Sequence, residues 1–469
     1  MRINHNISAL KATSLLNRNN SAMEKNIEKL SSGYKINRAA DDGAGMAISK
    51  KMRLQIRALD QASQNSADGI SVIQTAEGAL NEVTSMLQRM RELSVQAANG
   101  SYTLSDRETI QKEIDQLNSE IQRVSESTEF NTKTLLDGSL DRKTYTNNAS
   151  VEVSYTSDAV KAGAYSVKVN QAPEKAAVVG GTLTNTATNI SATEAGVITI
   201  NGEQITINEG DTMTEVYERI RLAGDSMGID VYPTDGTSKT SLADGAKLKF
   251  ETKQYGSSES VSITTENAAL AAKLGLSTTN SAAGKDVKLT LNSPLDDTAT
   301  VKTDGGIATI TDLNGVEIQL QVKSDVGTGT VNFNVLDAGS LVLQVGAANK
   351  QTLEINLPRV DCATLGLENL NVCTEKSATK SINKIDDAIS KVTDIRAKLG
   401  AYQNRLDHAV NNLDTVSLNL DEALSRITDT DMAKEMTKYT QNQVLVQAGS
   451  SVLAQANELP QTVLSLLQG

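Results

Sequence analysis

The residues able to carry catalysis or to bind a metal are few and widely separated. The chain of 469 residues contains two histidines, His5 and His408, and two cysteines, Cys362 and Cys373. These are too few for a His- or Cys-rich metal cluster or a disulfide framework. The sequence also lacks the H-E-x-x-H, phosphate-loop, dinucleotide-binding and nucleophile-elbow motifs. We therefore expect no enzymatic activity, no catalytic residue, no bound metal and no cofactor.

Pairs of neighbouring carboxylates occur at residues 41–42, 296–297 and 386–387. Adjacent side chains diverge in a helix or a strand, so these pairs are typical of helix caps and solvated faces rather than of a general acid and base. The two cysteines lie in an extended region before the last helices. In an exported protein they could form a disulfide, and two free thiols are at least as plausible, so both interpretations stay open.

Charge and glycine divide the chain into three parts. The net charge is −12 and aromatic residues make up 3%, a composition unsuited to nucleic-acid binding. Residues 141–375 carry 21 of the 31 glycines and a net charge of −11, whereas the two ends are almost neutral.

We expect neither a signal peptide nor a membrane span, since no apolar run is long enough. That pattern indicates a cytosolic protein or one exported without a cleaved signal.

Both ends of the chain have the apolar periodicity of long helices. Apolar residues recur at steps of three and four along 382–427, 46–98 and 110–124, a spacing near 3.5 that predicts coiled-coil-like packing. We expect Asn99–Gly100 to end one helix, and Ser105 with Glu108 to form the capping box of the next. No such helix buries its apolar face alone, so the N-terminal and C-terminal helices are predicted to pair.

The extreme ends, 1–30 and 432–467, are amphipathic and have no further helix to pack on. Two such helices are marginal in water, so they are expected to fold against copies of the same chain. Binding to a membrane surface is the alternative, but the polar faces lack the Lys and Arg that it requires. The residues predicted to mediate assembly are Ile3, Ile7, Leu10, Ile27, Leu30, Val446, Leu453, Leu464 and Leu467.

The middle of the chain has the alternation of β-strands. Residues 198–207 predict two strands around an Asn201–Gly202 turn, followed by a helix over 213–222. Further strands are predicted at 229–231, within 246–265, and at 286–292, 307–323 and 329–346. The predicted fold class is multidomain α + β: a long, coiled-coil-like antiparallel helical rod formed by both chain ends, with a β-rich α+β insertion between them.

Several segments carry a specific resemblance to a known family. They read LSSGYKINRAADDGAGMAI at 30–48, NSADGIS at 65–71, QRMRELSVQ at 88–96, LGAYQNRL at 399–406 and SRITDTDMA at 425–433. In amino-acid sequence and in their order along the chain, these segments resemble the two ends of bacterial flagellins. The resemblance covers about half of the chain. The middle corresponds to the part that varies in that family.

The resemblance implies a structural subunit that polymerises into the flagellar filament for swimming motility. It implies a secreted, extracellular protein exported unfolded through the flagellar type III channel, with a chaperone on the C-terminal helix. Partners would be copies of the chain and the hook-associated junction and cap proteins. The implied domains are 1–43 and 431–469 as inner-core assembly segments, 44–175 as rod helices with a β-hairpin region, 176–360 as the surface insertion, and 361–430 as the C-terminal rod.

The resemblance also implies recognition by the vertebrate Toll-like flagellin receptor. The matching positions are Arg89, Leu93 and Glu113, and this chain departs from the commonest form of the stretch at Met90 and Ser94. Alternatively, Leu93 belongs to the core and the two charges are solvated. Two other functions stay open: a hook–filament junction protein, and a flagellin-scaffold adhesin or enzyme with its activity in the insertion.

Overall fold

The computed structural model describes residues 6–157, 159–236, 238–292, 295, 298–336 and 338–467, with side chains to residue 458. Ile3, His5 and the 296–297 aspartate pair lie outside the described residues, as do the side chains of Leu464 and Leu467.

Long helices occupy both ends of the chain, and strands with two shorter helices occupy the middle. The described helices are α1 (Ile7–Ser32), α2 (Gly43–Ala97), α3 (Leu104–Ser127), α4 (Met213–Ser226), α5 (Ala268–Lys273), α6 (Glu375–Thr428) and α7 (Met432–Leu467). The first strands are β1 (Glu129–Phe130), β2 (Lys133–Thr134), β3 (Thr144–Thr146), β4 (Val151–Thr156), β5 (Gly163–Gln171), β6 (Lys175–Thr182), β7 (Gly196–Ile200), β8 (Glu203–Ile207) and β9 (Ile229–Thr234). They continue with β10 (Lys247–Tyr255), β11 (Ser260–Thr265), β12 (Thr279–Ala283), β13 (Lys288–Leu291), β14 (Thr300–Asp304), β15 (Ile307–Thr311), β16 (Glu317–Val322), β17 (Gly329–Val335), β18 (Leu341–Gln344) and β19 (Thr352–Ile355).

Local chemistry explains where the N-terminal helices begin and end. The Asn6 side chain caps α1 by accepting from Ala9 N at 3.0 Å, and Gly33 ends it with a left-handed φ of 75°. Asp42 Oδ1 accepts from Gly45 N at 2.9 Å, in the first turn of α2. The predicted cap role of the 41–42 pair is thus confirmed at Asp42.

The predicted capping box of α3 is wrong by two residues. Thr103 is the N-cap, with an extended backbone, and it exchanges hydrogen bonds with Asp106. Ser105 lies inside the helix. Ser-x-x-Glu and Thr-x-x-Asp overlap here, and the helix begins at the earlier motif because Thr103 supplies an oxygen to an otherwise unpaired backbone N–H.

The chain forms two compact units. The first contains residues 1–68, 344–352 and 405–469. In it, α1 pairs with α7, and the α2 and α6 segments pack through Leu59, Ala62 and Leu413. The linker between α1 and α2 pairs with the linker between α6 and α7, where Tyr34 and Asp429 form an antiparallel bridge.

The second unit contains residues 69–343 and 353–404. Its helical part is a packed rod whose fully buried residues include Ile73, Ala76, Leu80, Val83, Leu87 and Met90 on α2, Ile114 and Ile121 on α3, and Ile385, Ala388 and Val392 on α6. Arg91 pairs with Asp386 and Glu77 with Arg396, so α2 and α6 run antiparallel. The predicted pairing of the two chain ends is confirmed.

The insertion in the second unit has two hydrophobic cores. The first module packs the sheets β6-β10-β9 and β12-β11-β7-β8 with α4 and α5 around a core drawn from residues 176–276. The second module packs β13-β5-β17-β3 and β14-β15-β16-β4 around a core drawn from 151–169 and 287–335. The first module is therefore inserted between β5 and β13 of the second. The expected boundary at residue 175 falls at the first residue of β6.

The strand–turn–strand–helix–strand pattern of the first module is confirmed. Asn201 and Gly202, with φ values of 47° and 96°, connect β7 to β8. Both positive values suit a two-residue hairpin turn of this composition. The helix that follows, α4, starts from a Thr212–Glu215 capping box and leads into β9.

Candidate functional site: the terminal helix pair and the rod surface

The α1–α7 pair is joined by a seam that repeats every seven residues. Buried or half-buried positions alternate at steps of four and three, as in a coiled coil. On α7 they are Glu435, Tyr439, Asn442, Val446, Gly449, Leu453 and Ala456; on α1 they are Ala9, Ala12, Leu16, Asn19, Met23, Asn26 and Leu30. Asn6 Nδ2 donates to Ala456 O at 2.8 Å, which places the start of α1 beside Ala456 on α7.

Large apolar side chains lie exposed on the other faces of the same two helices. Ile7 and Leu10 are each 64% exposed, Val444 is 60% exposed and Val452 is 55% exposed. Leu15, Ile27, Met432, Met436 and Leu445 are also exposed. Apolar exposure on this scale along one helix pair is typical of a surface that binds a partner.

The predicted assembly residues divide between these two faces. Ile7, Leu10 and Ile27 are exposed, whereas Leu30, Val446 and Leu453 are half-buried in the seam. The exposed residues Leu15, Val444, Leu445 and Val452 were not among the apolar residues that the sequence predicted for assembly. The apolar stripe chosen on α7 was the one that packs on α1; a second apolar stripe, through Val444, Leu445 and Val452, was the available signal.

The predicted receptor residues lie on the rod of the second unit. Arg89 Nη2 pairs with Glu113 Oε1 at 2.8 Å, linking α2 to α3, and their side chains are 50% and 44% exposed. The hydrogen bonds that Arg89 donates to the Glu113 carboxylate raise the pKa of Arg89. Leu93 is only 2% exposed. The structure therefore brings Arg89 and Glu113 together at the surface and places Leu93 in the core beneath.

A row of lysines on α6 contacts both insertion modules, and it was not predicted. Lys380 Nζ pairs with Glu259 Oε1 at 3.0 Å, and Lys384 Nζ donates to Gln254 Oε1 at 2.9 Å. These partners belong to the first module. The lysines lie four residues apart, so they share one face of the helix.

The same row continues to the second module. Lys391 Nζ donates to Gln319 Oε1 on β16 at 3.2 Å, and Lys398 Nζ donates to the Tyr155 hydroxyl on β4 at 2.8 Å. Burial lowers the pKa of Lys391. The repeat of seven between these lysines was the signal in the sequence, but nothing in the sequence indicates which strands would face them.

A polar cleft of about 1170 Å³ lies between α3, α6 and the first module. Its lining carries charges of both signs, and several pair within it, including Lys253 with Asp225 at 2.5 Å. Across the described part of the chain, no group of three or more His, Cys, Asp or Glu side chains is placed to hold a metal ion. The cleft has the character of a joint between rod and insertion rather than of a reaction site.

Both cysteines are free thiols within the second unit. Cys362 Sγ donates to Asn118 O at 3.1 Å, and Cys373 is buried. Burial raises the pKa of each thiol to about 11. The sequence left open either a disulfide or two free thiols, and the structure has two free thiols.

Of the described helices, none is long and apolar enough to cross a membrane.

Two helical chain ends that pair with each other, an exposed apolar face on the terminal pair and a β-rich insertion together define a self-associating structural protein. Comparison with known proteins agrees. The N-terminal helical region of bacterial flagellin matches residues 3–141, and its C-terminal helical region matches residues 382–467. The chain belongs to the bacterial flagellin family.

Curated relatives match along the whole chain. Flagellin D of Vibrio anguillarum is 33% identical over 468 residues, covering 100% of this chain and 99% of the relative. A flagellin of Clostridium tyrobutyricum is 34% identical over 465 residues, covering 98% of this chain and 100% of the relative. The flagellin of Escherichia coli strain K12 is 35% identical over 505 residues, covering 100% and 99%.

Proposed function

We propose that the exposed apolar faces of α1 and α7 are the surfaces through which copies of this chain polymerise. As a flagellin, the protein is a structural subunit of the extracellular flagellar filament. The observation that carries the proposal is the exposure of Ile7, Leu10, Val444 and Val452 on one helix pair. Each such side chain gains roughly 1.5–3 kcal/mol when it is fully buried, so a neighbouring subunit would be held largely by apolar contact.

The distribution of charge supports the same arrangement. Residues 1–140 carry equal numbers of acidic and basic groups, and 376–469 carry one acidic group in excess. Near-neutral helices limit repulsion between closely packed copies. Residues 141–375, which include the insertion, hold almost all the net negative charge, which on an outer surface would keep filaments apart.

Deletion of residues 450–469 tests the assembly surface. The variant loses part of the exposed α7 face and the Asn6–Ala456 contact, while the packed rod of the second unit is untouched. We expect no filaments by electron microscopy, together with the helical circular dichroism of a folded rod. Filaments of normal length from this variant would contradict the proposal.

The nearest alternative is a hook–filament junction protein, and the full-length curated relatives do not favour it over a filament subunit. Addition of the purified chain to filament seeds separates the two functions. A filament subunit extends the seeds continuously, whereas a junction protein stops after one layer.

We also propose that the chain has no catalytic turnover, because the flagellin family is a structural one. The adhesin or enzyme alternative would place an activity in the insertion. The described insertion offers paired charges and two packed cores, and no observation there favours a reaction.

The further partners remain proposals based on the family. They are an export chaperone on α7, the hook-associated junction and cap proteins, and the Toll-like receptor. For the receptor, the exposed Arg89–Glu113 pair is the part that a partner could contact. Leu93, being buried, would act by holding α2 in place beneath that pair.

The proposed domain arrangement keeps the boundaries 1–43, 44–175, 176–360, 361–430 and 431–469. The two paired linkers, at 33–42 and 429–431, support the first and last of them, since both lie where a terminal helix joins the rod. Limited proteolysis of filaments tests the arrangement, with cleavage expected first within 176–360.

A further inference from the structure

We infer that Asn26, Glu435 and Asn442 set the register at which α1 pairs with α7. That register in turn sets the spacing of the apolar side chains offered to neighbouring subunits. This inference rests on the proposed assembly role of the two terminal helices. It assigns a positioning role to three polar residues.

The most buried side chains of the described pair include an amide and a carboxylate. Asn26 is 8% exposed and Glu435 is 5% exposed, and their buried companions in these helices are Ala12 and Ala456. Long apolar residues would be expected at such positions in a helix pair built only for stability. The burial of polar groups here therefore calls for another explanation.

These polar groups satisfy one another across the seam. In the orientation that gives both ends of the Asn26 amide a partner, its nitrogen donates to Glu435 Oε1 at 2.9 Å. Its oxygen accepts from Asn442 Nδ2 at 2.9 Å. Lys438 Nζ donates to Glu435 Oε2 at 3.0 Å, so the carboxylate also has a cation beside it. One α1 residue thus bridges two α7 positions one heptad apart.

A second point of the seam depends on the same register. A Cβ added at Gly449 would lie 3.4 Å from Leu16 Cδ1, so Leu16 packs directly over the glycine. Slipping the helices by one heptad would move Leu16 from Gly449 to Asn442 or Ala456. The slip towards Ala456 would separate Asn26 from Glu435, and the slip towards Asn442 would separate Asn26 from Asn442.

Either slipped pair is disfavoured because it breaks one of the two hydrogen bonds of Asn26 and leaves Glu435 or Asn442 without its amide partner. A buried polar group without a partner destabilises the fold by far more free energy than a hydrogen-bonded one contributes. The apolar column of α1 repeats as Ala9, Leu16, Met23 and Leu30, so apolar packing alone discriminates weakly between registers. A single buried polar contact is the best-attested device for fixing register in coiled coils.

Exchange of charge and amide across the seam tests the inference. Asn26→Asp places a second carboxylate beside Glu435. We expect about a tenfold rise in the critical concentration for polymerisation, since tenfold in an equilibrium corresponds to the loss of one ordinary polar contact. Asn26→Asp with Glu435→Gln restores one amide and one carboxylate, and is expected to recover to within about threefold of the unmodified protein. Asn17→Asp, which makes the same change at an exposed position of α1, is the matched control.

Register itself is read by solid-state NMR of the assembled filaments, from the contact between the Leu16 methyls and Gly449. The double variant Asn26→Leu, Glu435→Leu keeps the seam buried but removes the polar contact that selects one register. We expect this variant to polymerise while showing more than one Gly449 environment. A single unchanged Gly449 environment would overturn the register role, as would an Asn26→Asp, Glu435→Gln variant no better than Asn26→Asp alone. Failure of the unmodified protein to polymerise would instead remove the assembly role on which the inference rests.

Discussion

Lys391 on α6 and Gln319 on β16 are joined by a hydrogen bond of 3.2 Å between Nζ and Oε1, in a partly buried interface between the rod and the second insertion module. Lys391 also donates to Thr364 O at 3.1 Å. This lysine thus ties together three segments of the second unit that lie far apart in sequence. Burial lowers the pKa of Lys391, and these two acceptors supply hydrogen-bond partners for its buried ammonium group.

Lys391→Met is expected to loosen the second module without preventing polymerisation. The substitution leaves Gln319 and the Thr364 carbonyl without their donor, at a cost of about 1–3 kcal/mol. Hydrogen exchange should quicken in β4 and β16 and stay unchanged in α1 and α7. Lys376→Met is the matched control because Lys376 is exposed on the same helix. Equal effects from the two variants would exclude a specific role for Lys391.

Substitutions of Gly449 separate the effect of helix propensity on the α1–α7 seam from the effect of overpacking against Leu16. Gly449→Ala adds a Cβ at ordinary contact distance from Leu16, and an alanine gains about 0.5–1 kcal/mol over glycine within a helix. We expect an unchanged or slightly higher depolymerisation temperature. Gly449→Leu should overpack the seam by about 1–3 kcal/mol and lower that temperature. If Gly449→Leu left that temperature unchanged as well, Leu16 would not lie over Gly449.

Thr103→Ala should destabilise α3 by about 1 kcal/mol, because Thr103 is the N-cap of that helix. The matched control is Ser105→Ala, which the sequence alone would have chosen as the cap and which we expect to change stability by less than about 0.5 kcal/mol. Thermal unfolding and hydrogen exchange in α3 measure both. A larger effect at Ser105 would favour the capping box first expected.

The same cap has a pH dependence of known sign. The hydrogen bond from the Thr103 hydroxyl lowers the pKa of Asp106. The stabilisation it gives is therefore present above the unfolded pKa of about 4 and is lost as the pH falls through the lower, folded value. Protection of α3 from hydrogen exchange should decline in that acid range, and Thr103→Ala should reduce the decline.

The two cysteines are expected to resist alkylation in the folded protein. With each pKa at about 11, the thiolate fraction near pH 8 is about 100-fold below that of an unperturbed thiol. Stability should fall as the pH rises from about 8.5 towards 11, because the unfolded chain ionises its thiols first. Thiol titration should detect neither cysteine natively and both in denaturant. Failure to detect them in denaturant without reductant would indicate a disulfide.

Much of this fold follows from patterns within single elements. The Asn201–Gly202 turn, the helix after it and the long rods were predictable because periodicity and turn chemistry act over a few residues. It was harder to predict which face of a helix packs within the chain and which face is left exposed. Val446 and Leu453 lie in the seam although they were expected to contact other subunits, because α7 has apolar residues on two faces and only α1 distinguishes them.

The lysine row on α6 shows the same limit for the candidate site. Its spacing is visible in the sequence, but solvated lysines have that spacing too. These lysines donate hydrogen bonds to Gln254, Gln319 and Tyr155. The packing of two separate modules brings those three side chains to α6. No local pattern near residues 380–398 encodes those partners.

Seeded growth followed by electron microscopy tests the central claim most directly. The unmodified chain is predicted to extend filament seeds continuously. A Leu10→Ser, Val444→Ser variant, altered only on the exposed faces of α1 and α7, should fail to extend them while keeping its helical circular dichroism. Continuous growth by that variant, or termination after one layer by the unmodified chain, would contradict the account.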